Sequence, residues 1–254
     1  MKQWLGFYSI LRRETYRFLS IPKQTILGPL LETYLYIAVF GAALGSRIES
    51  LNGSEYIHFI IPGLLLMTLS MNAFSNNASS LIQQKTLKAI DDQLASPVAN
   101  VLLLTGYTLG GFLRGVLIAT ITLLTALVMT KVPIVHPVFL LFSLLCSGLF
   151  FASLGVLIGV RAQTFDQISF YQTFVIQPLI FLGGIFYSTD LLSEPFKTIT
   201  HFNPIFYMIN TVRYGMLGHS DVNPYISLIA IFSAMICIVG INIYLFSRGY
   251  KLRG

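Results

Sequence analysis

The sequence of 254 residues has few charged side chains: only 10% are Asp, Glu, Lys or Arg, whereas 55% are hydrophobic. A water-soluble domain usually carries about 25% charged residues, so this chain lacks the polar surface that a soluble globule needs. Disordered chains and coiled coils also require more polar residues than are present here. The composition therefore predicts an integral membrane protein.

Cysteine is also scarce, since the chain contains only Cys146 and Cys237, each within an apolar run. Two such residues predict neither a disulfide framework nor a cysteine-rich metal site. The sequence also lacks the GxxxxGK[ST] phosphate loop, the HExxH zinc motif and the GxSxG nucleophile motif. We therefore expect no catalytic centre, cofactor site or metal site in this chain.

Six apolar stretches are long enough to cross a bilayer as helices, which takes about 20 residues each. Their continuous apolar character favours helices over the alternating strands of a membrane barrel. The stretches are residues 26–46, 56–80, 99–129, 138–160, 168–188 and 224–246. The sequence therefore predicts an all-α protein with six transmembrane helices in a single membrane domain.

Basic residues outnumber acidic ones by 16 to 10, and their positions predict an orientation. With the N-terminus inside, most of them fall on the cytoplasmic side, whereas Arg47, Lys131, Lys197 and Arg213 fall on the outer side. Because Lys and Arg accumulate in cytoplasmic loops, both termini are expected in the cytoplasm. Cytoplasmic loops and anionic lipids then explain the excess of positive charge, so we expect no nucleic-acid partner.

Residues 1–21 combine aromatic and basic side chains along one predicted helix. Trp4 and Phe18 can share its broad apolar side, while Arg17 points toward water and phosphate. This make-up is typical of a helix that lies in the membrane interface. Pro22 is expected to end the helix before the first span.

Residues 83–97, between the second and third spans, are predicted to form a short amphipathic helix. Leu87, Ile90 and Leu94 recur at steps of three and four residues, which places them on one face. Such a helix could fit a groove on a partner protein, or it could be a connector that rests on the membrane.

The segment 189–219, before the last span, is longer than a connector requires and is largely apolar. Asn203 followed by Pro204 is typical of a helix start, with a capping side chain and proline at the first helical position. Because its pieces are too short to span, we expect two short helices that dip into the outer leaflet. They could gate a path or simply cover the outer surface.

Two ionisable residues lie within predicted spans, Glu32 in the first and Arg114 in the third. A charge in hydrocarbon is costly, so both are expected to face protein or a watery cavity rather than lipid. Glu32 could instead reach the nearby interface by snorkelling. Asn72 and Asn76 help to make the inner half of the second span polar, which suits a buried or cavity-facing surface.

Glycines spaced four residues apart occur in two of the predicted spans. Such pairs let helix backbones approach closely, so we expect them at helix–helix contacts. They are Gly106, Gly110, Gly111 and Gly115 in the third span and Gly155 and Gly159 in the fourth.

The order of these features resembles the permease subunits of ABC-2 type transporters, and most of all the YadH-type inner-membrane permeases. No single string is specific, but the ordered series extends along most of the chain. The strings are Phe40-Gly41, Leu44-Gly45-Ser46-Arg47-Ile48, Ile61-Pro62-Gly63-Leu64, Ala95-Ser96-Pro97-Val98, Gly110-Gly111 before Arg114-Gly115, Gly183-Gly184-Ile185-Phe186-Tyr187-Ser188, Phe202-Asn203-Pro204-Ile205, Tyr207-Met208-Ile209 and Arg213-Tyr214-Gly215.

The resemblance implies a multi-pass inner-membrane transporter that is driven by a separate ATPase. Permeases of this family act as homodimers with two ATP-binding subunits, so the partner would bind ATP and Mg. The family's coupling helix, which docks on the ATPase, would lie between Lys85 and Leu94. Its docking residues would be Lys85, Leu87, Lys88, Ile90, Asp91 and Leu94. We expect Asp in place of Leu87 or Ile90 to uncouple ATP use from transport and to leave membrane insertion intact.

The resemblance also implies where the re-entrant helices and the path lie. The re-entrant helices would be residues 191–200 and 204–217, with Asn203, Pro204, Tyr207 and Arg213. The pore of such transporters forms between two permease copies, largely from spans one, two and five. By helix face, the residues near the path would be Glu32, Tyr36, Asn72, Asn76 and Gln177, and Arg114 of span three is a further candidate.

Relatives in this family export drugs, nodulation factors and polysaccharides, so an exporter of an amphipathic, lipid or glycan-type substrate is expected. The alternative is an ion-coupled carrier that works without an ATPase. An inverted repeat is not visible in the sequence, and Glu32 is the only carboxylate within a predicted span. Both observations disfavour the carrier.

Overall fold

The computed structural model describes residues 2–43 and 54–248, and the regular elements of those residues are helices. The predicted all-α class is therefore confirmed. In chain order the helices are α1 (Lys2–Leu19), α2 (Gly28–Ala43), α3 (Tyr56–Thr86), α4 (Ala89–Ala95), α5 (Asn100–Thr130), α6 (Pro137–Arg161), α7 (Phe165–Phe170), α8 (Gln177–Leu182), α9 (Phe196–Phe202), α10 (Pro204–Leu217) and α11 (Pro224–Ser247). Two π-helical segments, Lys23–Leu27 and Tyr171–Ile176, lead into α2 and α8.

Within the described residues, four helices are long and apolar enough to cross a membrane: α3, α5, α6 and α11. They coincide with the predicted stretches 56–80, 99–129, 138–160 and 224–246, although α3 continues beyond its stretch to Thr86. Each contains at least 24 residues, which exceeds the roughly 20 needed to span the hydrocarbon core. The chain is therefore an integral membrane protein.

The other two predicted stretches are shorter or interrupted. α2 is described as far as Ala43, and residues 44–46 of the first stretch lie outside the described residues. The fifth stretch consists of α7, a π-helical segment and α8, and it ends at Leu182 rather than at 188. Gly184 follows with φ 86°, a conformation that glycine adopts without Cβ strain, so the helix stops there.

The long helices run between two ends of a bundle, which we name the α1 end and the α10 end. α3 begins near α10, where Phe59 lies under the Arg213 guanidinium, and it reaches α1 through a hydrogen bond from Ser80 to Glu14. α5 runs in the opposite direction. α6 begins at the α10 end, and α11 ends beside the start of α5, where Asn100 Nδ2 donates to the Phe246 carbonyl (3.0 Å).

Glycine seams bring the neighbouring helices against α3, which is the central and most buried helix. On α5, added Cβ atoms would collide with Asn77 at Gly111 and with Ala73 at Gly115. On α6, a Cβ at Gly155 would collide with the α3 backbone. The prediction that these glycines allow close helix packing is confirmed.

α1 is a helix as predicted, but its faces differ from the prediction. Phe18 is 3% exposed and packs into the bundle, whereas Trp4 is 68% exposed, so the two do not share one side. Arg17 does not point simply to water, since it donates to α3 at Ser79 Oγ (3.3 Å). One face of α1 therefore packs against the helix bundle, and the other face is exposed.

The segment 189–219 contains the two predicted short helices. α9 begins at Phe196, later than the predicted residue 191, after a 3₁₀ turn at Thr189–Leu191. α10 begins at Pro204 and ends at Leu217, as predicted, before Gly218 with φ 79°. Together these helices cover the α10 end of the bundle.

Candidate functional site

The predicted docking segment lies at the α1 end, but it is not one helix. Lys88 interrupts it with φ 56°, so that α3 stops at Thr86 and α4 begins at Ala89. A single amphipathic helix over 83–97 is therefore wrong. Non-glycine residues rarely adopt a positive φ, and here it lets α4 turn back against the end of the bundle.

Three of the six predicted docking residues hold this segment in place. Ile90 is only 3% exposed and belongs to a hydrophobic cluster that includes Ile10 of α1. Leu94 also packs against this cluster. The Lys85 ammonium donates to the carbonyl of Ala162 (3.2 Å), at the carboxyl end of α6. The helix dipole favours a cation at that position. These three side chains therefore make contacts within the chain.

The other three docking residues, Leu87, Lys88 and Asp91, are exposed, and we call them the docking surface. Leu87 exposes 66% of its area, and charges of both signs stand beside it. A large exposed apolar side chain within a charged rim can fill a pocket on a partner protein. Ile90, which sequence reasoning grouped with Leu87, is not available to a partner.

A chain of hydrogen bonds joins α4 to the rest of the α1 end. The Tyr107 hydroxyl of α5 donates to Gln93 Oε1 (2.7 Å), and Gln93 Nε2 donates to Gln84 Oε1 (3.0 Å). Arg13 Nη1 donates to the same Gln84 oxygen (3.1 Å), and its guanidinium lies 5.2 Å from the Tyr107 ring centroid. Polar contacts therefore fix α4 to α1, α3 and α5, in addition to the burial of Ile90.

Glu14 is the centre of the polar contacts between α1 and the bundle, and its side chain is fully buried. Its Oε1 accepts hydrogen bonds from Ser80 Oγ (2.7 Å) and Arg13 Nη2 (2.8 Å), and its Oε2 lies 3.3 Å from Arg17 Nη2. Gly110 makes room for it, since a Cβ there would collide with the Glu14 Cβ. Burial of this carboxylate is tolerated because it is paired and hydrogen-bonded.

Sequence reasoning missed Glu14, because a glutamate beside two arginines looks like a solvated charge on an interfacial helix. The signal that could have found it is the spacing of the α5 glycines. Ile10 lies over Gly106 and Glu14 lies over Gly110, so that a four-residue repeat on α1 matches one on α5. The glycines predicted a helix contact but not that α1 would be the partner.

Glu32 and Tyr36 line an open groove of about 280 Å³ along α2, together with Leu35, Val39 and Phe40. Leu35 and Val39 are each 56% exposed, so the groove opens away from the bundle of the single chain. Glu32 is exposed and makes no ion pair with any described residue. The opposite wall of this groove would be lipid or a second protein chain.

Tyr36 also belongs to an aromatic cluster that joins α2 to the chain after α8. Phe40 stacks on Phe186 with ring centroids 4.7 Å apart, and Tyr36 and Phe181 approach Phe186 at 6.1 and 5.9 Å. Such pairs contribute about 0.5–1.5 kcal/mol each beyond their buried area. The cluster therefore holds α2 against the end of α8.

The remaining path candidates lie away from the groove along α2. Asn72 is half-buried and donates to the Thr68 carbonyl one turn earlier (2.9 Å), while Gln177 is half-buried at the start of α8. Asn76 is fully buried beside α1, and Arg114 is half-buried in α5. Neither residue lines the groove along α2 in the single chain.

The predicted start of α10 is confirmed. Asn203 Oδ1 accepts a hydrogen bond from the second residue of the helix (3.0 Å), and Pro204 is the first. Asn203 Nδ2 also donates to the Leu179 carbonyl (2.6 Å), and the Tyr207 hydroxyl donates to the His201 carbonyl (2.9 Å). Asn203 and Tyr207 therefore position α10 against α8 and α9.

Arg213, which the charge count assigned to the outer side of the membrane, is fully buried at the α10 end. Its Nη1 lies 3.6 Å from Asp221 Oδ2, and its Nη2 donates to the Gly184 carbonyl (2.6 Å). Its Cζ lies 3.9 Å from the ring centroid of Phe59, in a cation–π contact. Arg213 therefore joins α10 to α3 and to the loops on either side of it.

Comparison with known proteins gives matches along most of the chain. A family model described as ABC-2 type transporter matches residues 6–217. The inner membrane transport permease YadH of Escherichia coli (strain K12) is 41% identical over 221 residues, which cover 86% of each chain. Nodulation protein J of Rhizobium leguminosarum bv. viciae is 28% identical over 230 residues, which cover 86% of this chain and 85% of that protein. Nodulation protein J of Rhizobium meliloti (strain 1021) is 24% identical over 214 residues, which cover 84% of this chain and 82% of that protein. The chain therefore belongs to the ABC-2 type transporter family.

Proposed function

We propose that this chain is the membrane-spanning permease subunit of an ATP-driven exporter in the inner membrane. The observation that carries the proposal is the 41% identity to an inner membrane transport permease over 86% of both chains. The sequence contains no nucleotide-binding motif, so a separate subunit would bind ATP and Mg.

Six spans are part of this proposal. α3, α5, α6 and α11 meet the length and hydropathy of a span within the described residues. α2 and the segment from α7 to α8 run between the same two ends, because Phe40 and Phe186 stack at the α10 end. An even number of spans puts both termini on one side of the membrane.

The α1 end is proposed to face the cytoplasm. Basic side chains are concentrated there, and Lys and Arg accumulate on the cytoplasmic side. Those described at this end are Arg12, Arg13, Arg17, Lys23, Lys85, Lys88, Arg161 and Arg248, whereas Arg47, Lys251 and Arg253 lie outside the described residues. At the α10 end Arg213 is buried in an ion pair, so Lys131 and Lys197 are the basic residues left there in the described part.

The ATP-binding subunit is proposed to dock on Leu87, Lys88 and Asp91. α4 is suited to transmit motion, since Ile90 and Gln93 hold it rigidly against three other helices. A docked element changes an equilibrium only if it binds its partner differently in two states, and a rigidly held helix can do so.

Two copies of this chain with two ATP-binding subunits would form the transporter. The open groove of Glu32 and Tyr36 on α2 supports a path between copies, because a second chain could provide its missing wall. An amphipathic, lipid or glycan-type substrate fits a groove with a single carboxylate and an aromatic and aliphatic wall.

Co-purification of the tagged chain from its native host, in mild detergent, tests the proposal. An ATP-binding subunit should be recovered at about a 1:1 ratio, and Leu87→Asp should release it without loss of the permease. Leu191→Asp is the matched control, because Leu191 is 69% exposed but lies at the α10 end. A chain that purifies alone and moves substrate in vesicles without ATP would instead be a carrier.

A further inference from the structure

One helical turn beyond Glu14, toward the α10 end, a second group of polar side chains meets between α1, α3 and α5. It consists of Arg17, Asn76 and Arg114. Arg17 Nη2 donates to the Asn76 backbone carbonyl, which joins α1 to α3. The helix register brings Arg114 to the same level: Ile10 lies over Gly106 and Glu14 over Gly110, so one turn further along both helices Arg17 comes level with Arg114.

This group contains polar atoms that no described residue satisfies. Both side-chain atoms of Asn76, Oδ1 and Nδ2, are buried without a hydrogen-bond partner, and the residue is 0% exposed. Arg17 Nε and Arg114 Nε are buried in the same way. Most buried polar atoms in proteins are hydrogen-bonded, so several orphans in one place indicate a missing partner.

The charge of the region is also uncompensated. Arg13 and Arg17 share the single carboxylate of Glu14, and Arg114 makes no ion pair or hydrogen bond with any described residue. Two positive charges are therefore left over among three arginines. Burial lowers the pKa of Arg17 from its ordinary value even though Glu14 opposes the change, as expected for a cation with too little negative charge around it.

We propose that Arg17, Asn76 and Arg114 form a binding site for a phosphate-type oxyanion. Guanidinium groups bind such anions through paired N–H donors, and the Asn76 Nδ2 adds a third donor from another helix. The anion would supply the negative charge that the single carboxylate of Glu14 cannot provide. A bound water could satisfy the polar atoms but would bring no charge.

The two arginines of the site are accessible from outside the bundle. Arg114 and Arg17 are both only partly buried, and Arg17 retains 25% of its side-chain exposure, so the site is open to a headgroup or a solute. The phosphate can belong to a membrane lipid or to a free phosphate compound, and both offer the same oxygens. This inference does not depend on the proposed transport function.

Thermal unfolding of the purified full-length chain in neutral detergent tests the site. The probes are phosphatidylglycerol, a galactosyl diacylglycerol without phosphate, and inorganic phosphate at constant ionic strength. At about ten times its Kd, a ligand of the folded state raises the Tm by roughly 3–6 °C. We expect this shift with phosphatidylglycerol or inorganic phosphate and not with the galactolipid. A shift with the first alone identifies a lipid, and a shift with inorganic phosphate identifies a free anion.

Variants decide whether the shift belongs to this site. Arg114→Gln should lose it, whereas the control Arg12→Gln should keep it, because Arg12 is exposed on the other face of α1. Asn76→Asp places a carboxylate beside Arg17, so it should raise the Tm without ligand and abolish the shift. This variant also decides the matter if Arg114→Gln does not fold. A shift that survives in Asn76→Asp, or no shift with either phosphate probe, overturns the proposal.

Discussion

Glu14 and Arg213 are fully buried charges, one at each end of the bundle. Each joins helices that are distant in sequence: Glu14 meets Ser80, and Arg213 meets the Gly184 carbonyl. A buried charge persists only with partners, so both residues fix the geometry of their surroundings.

Glu14→Ala should destabilise the chain by about 3 kcal/mol. The substitution leaves Arg13 and Arg17 without their carboxylate, and the cost lies at the low end for a broken buried pair because both arginines are partly exposed. Chemical unfolding in detergent measures it. Arg12→Ala is the control, because Arg12 is exposed and its guanidinium lies 5.3 Å from the centroid of the Tyr16 ring, so less than about 1 kcal/mol is expected. Equal losses in the two variants would show that Glu14 is not a structural centre.

Arg213 and Asp221 should behave as a coupled pair. Arg213→Met and Asp221→Asn each leave a buried charge without its ion-pair partner, so each should cost several kcal/mol, and the double variant should cost less than their sum. A double-mutant cycle of unfolding free energies measures the difference, expected at roughly 0.5–3 kcal/mol. Strictly additive losses would argue against the pairing.

Single residues were predictable from the sequence where their role is local. The Asn203 cap depends on its own neighbours, so the string Asn203-Pro204 was enough to predict it. Glu14 and Arg213 depend on other helices, and hydropathy alone assigns such charges to water. Their burial becomes evident only when the partners are in place.

The helices α1 and α5 pack against each other along a row of glycines on α5. Gly110→Ala should separate the two helices, because the added Cβ collides with Glu14. Gly240→Ala in α11 is the matched control, since nothing lies within 4 Å of its Cβ position. Alanine there should be neutral or stabilising by about 0.5–1 kcal/mol, because it favours helix. Gly110→Ala should therefore lower the free energy of unfolding, whereas Gly240→Ala should leave it unchanged or raise it, and a destabilising change at both sites would contradict the account of the seam.

The segment 87–95, which consists of α4 and the two residues before it, has anchored and exposed side chains, and these should respond differently to the same substitution. Leu87→Asp should leave the Tm unchanged and weaken binding of an ATP-binding subunit. Ile90→Asp should lower the Tm, because it buries an unpaired charge against Ile10. Thermal unfolding and partner recovery measure the two effects separately. If Ile90→Asp keeps the Tm and loses the partner, then Ile90 belongs to the docking surface after all.

The boundaries of three of the long spans could be predicted, because long apolar runs define them. The ends of α5, α6 and α11 lie within one residue of the predicted 99–129, 138–160 and 224–246. The break at Lys88 could not be predicted, because a lysine at positive φ has no local signal and is held there by the packing of Ile90. The early end of α8 had a signal in Gly183-Gly184, which hydropathy alone overlooks.

At the scale of the whole molecule, α3 is the central helix around which the others are arranged. The two ends differ in charge and in construction: the α1 end carries the basic residues and the docking surface, and the α10 end is closed by α9 and α10. Hydrogen bonds from Gln93 connect α4 directly to α3 and α5, and Arg13 extends the connection to α1 through Gln84. The groove along α2 opens away from the bundle, so its opposite wall would be lipid or a second chain.

The central claim is that an ATP-binding subunit docks at the α1 end. A photoreactive amino acid placed at Leu87, in cells of the native host, tests it most directly, with the same substitution at Leu191 as the control. The account predicts a covalent product between this chain and an ATP-binding protein from position 87 and none from position 191. An equal yield from both positions, or no product from position 87 while transport continues, would contradict it.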